Sequence, residues 1–154
     1  MMSLCCDVLS LLQGKTLVTA ESLTGGGIGS ALTAVSGAST VYKGGIISYT
    51  NEVKHKLLGV PVETLEQFGA VSEPVACAMA EGARKVLEAD VAVSVTGLAG
   101  PGGDDYGNPV GTVFIGYSDE NRTVVKPCLF SGDRESIRSQ TIAAALQLIL
   151  NMQK

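Results

Sequence analysis

A serine with bare backbone behind it is the first sign of chemistry in this sequence. In the stretch TAESLTGGGIGSALTAV (19–35), Ser22 stands where an apolar strand pattern ends, and three glycines follow before a helical pattern begins. Two other strand ends carry polar groups: Tyr49, with Lys54 one helical turn beyond the helix cap that follows it, and Thr96-Gly97, which opens into LAGPGGDDYGNP (98–109). In open α/β sheets ligands sit at the carboxyl ends of the strands. If these three strands are parallel neighbours, a hydroxyl, a phenol, an amine and a second hydroxyl therefore converge on one rim. A serine there becomes a nucleophile when a base takes its proton, and a lysine arriving from elsewhere in the chain can be that base. Each group also has an ordinary reading. Strand-end serines commonly cap helices, Lys54 beside His55 and Lys56 reads as a solvated helix residue, and Tyr49 as edge packing.

The elements that must position these groups follow from changes of period along the chain. Leu4, Val8, Leu11 and Leu12 recur at helical spacing. KTLVTAE (15–21) reads as a buried strand, followed by a helix over about 25–35 and the turn SGAS. GGIISYT (44–50) is a second strand, after which Asn51 is placed to cap a short helix that Gly59 ends. Ser72-Glu73-Pro74 signals the start of a helix running to about Ala89, and DVAVSVTG (90–97) has the continuous apolar character of a central strand. Residues 110–118 and 122–130 flank a short Asp-Glu-Asn turn and predict an antiparallel hairpin. Asp133 caps a last helix. This order predicts one α/β domain over residues 1–154, a three-layer α/β/α sandwich around a mixed, mainly parallel sheet.

Composition closes off several function classes. A chain of 154 residues that is 45% apolar, without tryptophan, holds one aliphatic core and is not disordered. A net charge of −4 without a basic run argues against nucleic acid as a partner. The opening MMSLCCDVLSLLQGK lacks a basic leader region and is interrupted by Asp7 and Ser10, so it does not read as a signal peptide, and no segment reads as a membrane span. Cysteines 5, 6, 77 and 128 form no C-x-x-C pair, which predicts reduced thiols and a cytoplasmic protein. His55 is the single histidine, too few nitrogen and sulfur ligands for zinc, so no metal is expected. GKT (14–16) is not a P-loop, because Leu9 holds the place of its first glycine and the motif precedes a strand. GGGIGS (25–30) misses the dinucleotide fingerprint at Ser30. Neither G-x-S-x-G nor S-x-x-K occurs.

AESLTGG (20–26), GGIISYTNEVKHKLLGV (44–60), GAVSEPVACAMAEGAR (69–84), ADVAVSVTGLAGPGG (89–103) and NPVGTVFIGY (108–117) resemble, in order and spacing, the CinA C-terminal domain family, the nicotinamide mononucleotide deamidases. The resemblance covers nearly the whole chain and implies a stand-alone form of the domain. It implies hydrolysis of the nucleotide's carboxamide to nicotinate mononucleotide and ammonia, without a cofactor, in pyridine nucleotide salvage. Ser22 matches the family's serine and Lys54 its lysine, implying nucleophile and base, with Tyr49 orienting the lysine or relaying its proton. An amidase also needs oxyanion donors, and amides near Thr24, Gly25 and Gly26 at a helix start suit an oxyanion or a phosphate. Thr96 and the backbone from Gly97 through Gly100, Gly102 and Gly103 would line the opposite wall and hold ribose or phosphate. Arg134 and Arg138 are further candidate phosphate contacts, or else surface charges. The implied partner is a small-molecule nucleotide, and a homo-oligomer is compatible with the sequence. One departure stands out, since the family commonly has cysteine where this chain has Leu23. That bulk beside the serine favours a second reading, a nucleotide-binding module that keeps the pocket without turnover and acts through a protein partner.

Overall fold

The computed structural model describes residues 1–154 as a five-stranded sheet between two helical layers. In chain order the elements are α1 (Met2–Leu11), β1 (Leu17–Glu21), α2 (Gly27–Thr33), β2 (Tyr42–Ile47), α3 (Asn51–Leu58) and α4 (Val62–Phe68). They continue with α5 (Glu73–Val86), β3 (Val91–Gly97), β4 (Thr112–Ser118), β5 (Thr123–Leu129) and α6 (Arg134–Met152). The sheet order is β2-β1-β3-β4-β5. β1 lies parallel to β2 and β3, while β4 pairs antiparallel with β3 and β5 with β4. Four strands thus run one way and β4 the other, a mixed and mainly parallel sheet. The three strands that carry the candidate residues are parallel neighbours, so their carboxyl ends share one rim.

Side-chain alternation decides what each strand shows to each layer. Leu17 of β1 and Val91, Val93 and Val95 of β3 enter the larger core cluster with α1, α2 and α6. Val18, Ala20 and Ala92 enter the smaller one with α3, α4 and α5. The same alternation carried one step past β1 puts Ser22 on the α3–α5 face and Glu21 on the α2 face. On the α3–α5 side, Gly82 of α5 allows the two helices to meet closely, because a Cβ there would collide with the Leu58 carbonyl. That contact seats α3 against the sheet.

Several local expectations are corrected. The buried face of α1 is Cys5, Val8, Leu9 and the following Leu12, whereas Leu11 is exposed. The helix expected over 25–35 is shortened to Gly27–Thr33, because Gly25 and Gly26 take left-handed backbone angles that hold the turn open. β2 ends at Ile47, so Tyr49 lies in the connection beyond it. Thr50, not Asn51, caps α3, its hydroxyl accepting from Val53 N at 3.3 Å. α5 stops at Val86, short of Ala89. α4 carries no separate sequence signal; it is a two-turn helix begun by Pro61 and anchored by Leu65 in the smaller core.

Candidate active site

Two neighbouring residues of one turn serve different layers. Glu21 is buried, and its carboxylate accepts from the Thr24 hydroxyl (2.7 Å), Ile28 N (2.8 Å), Gly29 N (3.1 Å) and the Thr19 hydroxyl (3.1 Å). The first free amides of α2 are therefore already answered by a side chain of the protein. Arg138 reaches over from α6 and donates to the Leu23 and Thr24 carbonyls at 2.9 and 3.1 Å. Together these contacts clamp the turn that carries Ser22.

On the other face, Ser22 meets the amine of α3. Lys54 is 1% exposed, and its Nζ lies 3.0 Å from Ser22 Oγ, 2.7 Å from the Ser48 carbonyl and 3.5 Å from the Tyr49 carbonyl. No carboxylate forms an ion pair with it; the ion pair of this helix joins Lys56 to Glu52 at the surface. Burial without a counter-charge disfavours the ammonium form and pulls the Lys54 pKa down from its ordinary value to about 8. An unprotonated amine has two N–H bonds and one lone pair. As an ammonium, Nζ donates to Ser22 Oγ and to the two carbonyls; in its neutral form the two carbonyls can take the N–H bonds and leave the lone pair to accept from the Ser22 hydroxyl. In that form the arrangement can pass a serine proton to the amine.

The pair opens on a cleft of about 660 Å³, a size that suits a small organic ligand. Its walls include Ser22, Leu23, Tyr49, Asn51 and Lys54 on one side and the 96–106 loop with Arg134 on the other. Thr96, Gly97, Gly100, Gly102 and Gly103 all line it. The Thr96 hydroxyl itself is committed to the Ala70 carbonyl at 2.7 Å. The amides of Ala99, Gly100, Gly102 and Gly103 donate to no protein acceptor, which leaves a run of N–H groups along one wall. Arg134 reaches the rim, its guanidinium donating to the Gly100 carbonyl (2.7 Å) and the Tyr49 hydroxyl (3.2 Å).

Other expected residues sit elsewhere. The Tyr49 ring is exposed and its hydroxyl meets Arg134; its contact to Lys54 is made by its backbone carbonyl. Thr24 is buried with its hydroxyl on Glu21, and neither it nor Gly25 and Gly26 lines the cleft. Arg138 braces the serine turn and does not face the cleft. Within that turn, the amides of Leu23 and Thr24 have no protein acceptor, and Leu23 both lines the cleft and packs into the larger core cluster. Residues that the sequence reading did not assign to the site are Glu21, the Ser48 carbonyl, Asn51, which it read as a helix cap, and Tyr106. Only Glu21 left a signal, a charge closing an otherwise uncharged strand. No group of three or more His, Cys, Asp or Glu side chains comes together as a metal site would require. No helix is long and apolar enough to cross a membrane.

Comparison with known proteins agrees with this geometry in fold and in sequence. The chain is 44% identical over 138 residues to the nicotinamide-nucleotide amidohydrolase PncC of Escherichia coli K12, an alignment covering 89% of this chain and 84% of that one. It is 57% identical over 118 residues to a CinA-like protein of Parasynechococcus marenigrum, covering 75% of this chain and 28% of the relative. The chain thus spans roughly a third or less of such longer CinA-like relatives. Among solved structures, the competence/damage-inducible protein CihA of Agrobacterium tumefaciens superposes with a TM-score of 0.96 at 38% identity, covering 99% of this chain and 95% of that one. A CinA superfamily protein of Klebsiella pneumoniae gives 0.96 at 32% identity, covering 99% and 96%. The family described as the CinA C-terminal domain matches residues 3–153, and the chain belongs to that family.

Proposed function

We propose that this protein is an amidohydrolase that converts nicotinamide mononucleotide to nicotinate mononucleotide and ammonia, with Ser22 as nucleophile and Lys54 as general base. The observation that carries the reading is the buried, unpaired Lys54 amine 3.0 Å from Ser22 Oγ at the edge of a nucleotide-sized cleft. The 44% identity to a nicotinamide-nucleotide amidohydrolase supports the choice of substrate. In the first half-reaction Ser22 Oγ attacks the carboxamide carbon while its proton passes to Lys54 Nζ. The oxyanion is met by the amide of Leu23, the donor of the serine turn that lines the cleft and has no protein acceptor. Lys54 then returns the proton to the departing nitrogen, the C–N bond breaks, ammonia leaves, and an acyl ester remains on Ser22. In the second half, Lys54 takes a proton from water, the water oxygen attacks the ester, and Ser22 leaves with the proton restored. The bound pyridinium ring, a positive charge near Nζ, further favours the neutral amine.

The substrate phosphate is held by the 99–103 loop amides and Arg134, on the opposite wall from the serine turn. The start of α2 is unsuited to that role because Glu21 occupies it. Ammonia release from nicotinamide mononucleotide tests the proposal. The purified protein releases ammonia, and a folded Ser22→Ala variant loses at least about a thousandfold in kcat. Unchanged turnover in that variant would remove Ser22 from the mechanism, and wild-type binding without turnover would support the binding-module reading that Leu23 raised.

A further inference from the structure

A second chamber of about 310 Å³ adjoins the cleft, and the two meet at only two residues, Asn51 and Tyr106. Its inner surface is apolar, from Val62 and Leu65, and its rim carries Glu52, His55 and Glu66. Tyr106 stands at the junction, half exposed although its ring is held in place. Its hydroxyl donates to the Glu66 carbonyl at 2.7 Å and lies 3.4 Å from that of Leu65. Its ring packs flat on Gly69, where an added Cβ would come within 2.6 Å of Cδ1. The loop behind it is pinned as well: Asp104 accepts from the amides of Tyr106 and Asn108, and Asn108 Nδ2 donates to Asp104 (2.7 Å) and to the Val71 carbonyl (3.2 Å). An exposed loop tyrosine rarely carries so many constraints unless a surface must be kept where it is.

We propose that Tyr106 is a specificity residue, the partition that ends the substrate cleft and restricts the enzyme to mononucleotides. This rests on the reading of the site given above. There the substrate phosphate lies on the 99–103 amides, in the same loop as Tyr106, so a second nucleotide attached through that phosphate extends toward the partition. With the ring in place, the space such a group needs is divided between two chambers. Glu66 on the far side disfavours a second phosphate as well. Specificity of this kind is a ratio of kcat/KM values, not an affinity.

The test compares kcat/KM for nicotinamide mononucleotide and for nicotinamide adenine dinucleotide, read as ammonia release, with folding checked by thermal melting. Removing the partition in Tyr106→Ala lowers the mononucleotide preference at least about tenfold, with an absolute gain on the dinucleotide. Tyr106→Leu serves if the alanine variant does not fold. Tyr106→Phe, which keeps the ring and loses only its carbonyl contacts, stays within about threefold of the wild-type ratio. Tyr106→Ala/Glu66→Gln favours the dinucleotide further. If the loop tyrosine were only a structural prop, both substrates would suffer alike and the ratio would not move; an unchanged ratio in the folded alanine or leucine variant overturns the proposal. A wild-type protein inactive on the mononucleotide contradicts the functional reading itself, a separate outcome from an active enzyme whose selectivity ignores residue 106.

Discussion

The two faces of α3 hold lysines two residues apart that live in different solvents. Lys56 lies on the outer face, its side chain 70% exposed, and pairs with Glu52 at 3.6 Å, a contact worth at most a few tenths of a kcal/mol. Lys54 lies on the inner face, 1% exposed, with carbonyls and a serine hydroxyl for company and no counter-charge. Same residue type, same helix, same local sequence: the difference is which way the helical period turns the side chain, and what the sheet presents there. Burial without a carboxylate lowers the pKa of one lysine and so favours its neutral amine, whereas exposure beside a carboxylate leaves the other a surface cation.

The largest expected effect comes from keeping the inner charge permanent. Lys54→Arg, whose guanidinium stays protonated, lowers kcat by more than about a hundredfold, and Lys54→Ala does likewise. Both retain most of their nucleotide affinity by calorimetry, since the proposed phosphate site lies on the opposite wall. Near wild-type turnover in Lys54→Arg would make the inner lysine a binding charge and erase the functional contrast with Lys56.

A second effect is on stability and has a definite sign. The Lys54 pKa of about 8 in the folded protein lies below its unfolded value of roughly 10.4. Below pH 8 the amine is charged in both states and the folded state bears the whole cost of burying it. Between pH 8 and about 10.4 the unfolded chain binds more protons, so wild-type stability rises with pH relative to a variant lacking the amine. Denaturant unfolding of wild type and Lys54→Met across that window will show their difference shift in favour of wild type by up to roughly 3 kcal/mol. A pH-independent difference would mean that the amine is not desolvated. The smallest effect belongs to the outer face: Lys56→Ala changes stability by less than about 0.5 kcal/mol and leaves kcat unaltered.

The same contrast explains how much of the site could be read from sequence. That Ser22 and the glycine loop share one rim was legible because parallel neighbours bring their strand ends together, whereas the burial of Lys54 was not, since its local pattern reads as a solvated helix residue and only the family resemblance singled it out as the base. The three layers and the hairpin were legible from the periods of strands and helices. What the sequence hid depends on contacts between distant segments. The phenol of Tyr49 points to Arg134, 85 residues away, and Arg138 braces the Leu23 and Thr24 carbonyls from α6. Thr24 looks like an anion-binding residue at a helix start until Glu21 is seen to fill that position. Helix α4 is a short segment whose stability comes from Leu65 in the core and not from its own pattern. The partition at Tyr106 exists only because the loop folds back onto Gly69 and α4.

The claim that a neutral Lys54 activates Ser22 is tested most directly by the pH dependence of kcat/KM, which reports the free enzyme's base. With a neutral Lys54 as base, the rate on nicotinamide mononucleotide climbs about tenfold per pH unit at low pH and levels off near pH 8, the value that burial gives the amine. A profile flat from pH 6 to 9.5, or one still climbing steeply up to about pH 10.4 as for a solvated lysine, would contradict it.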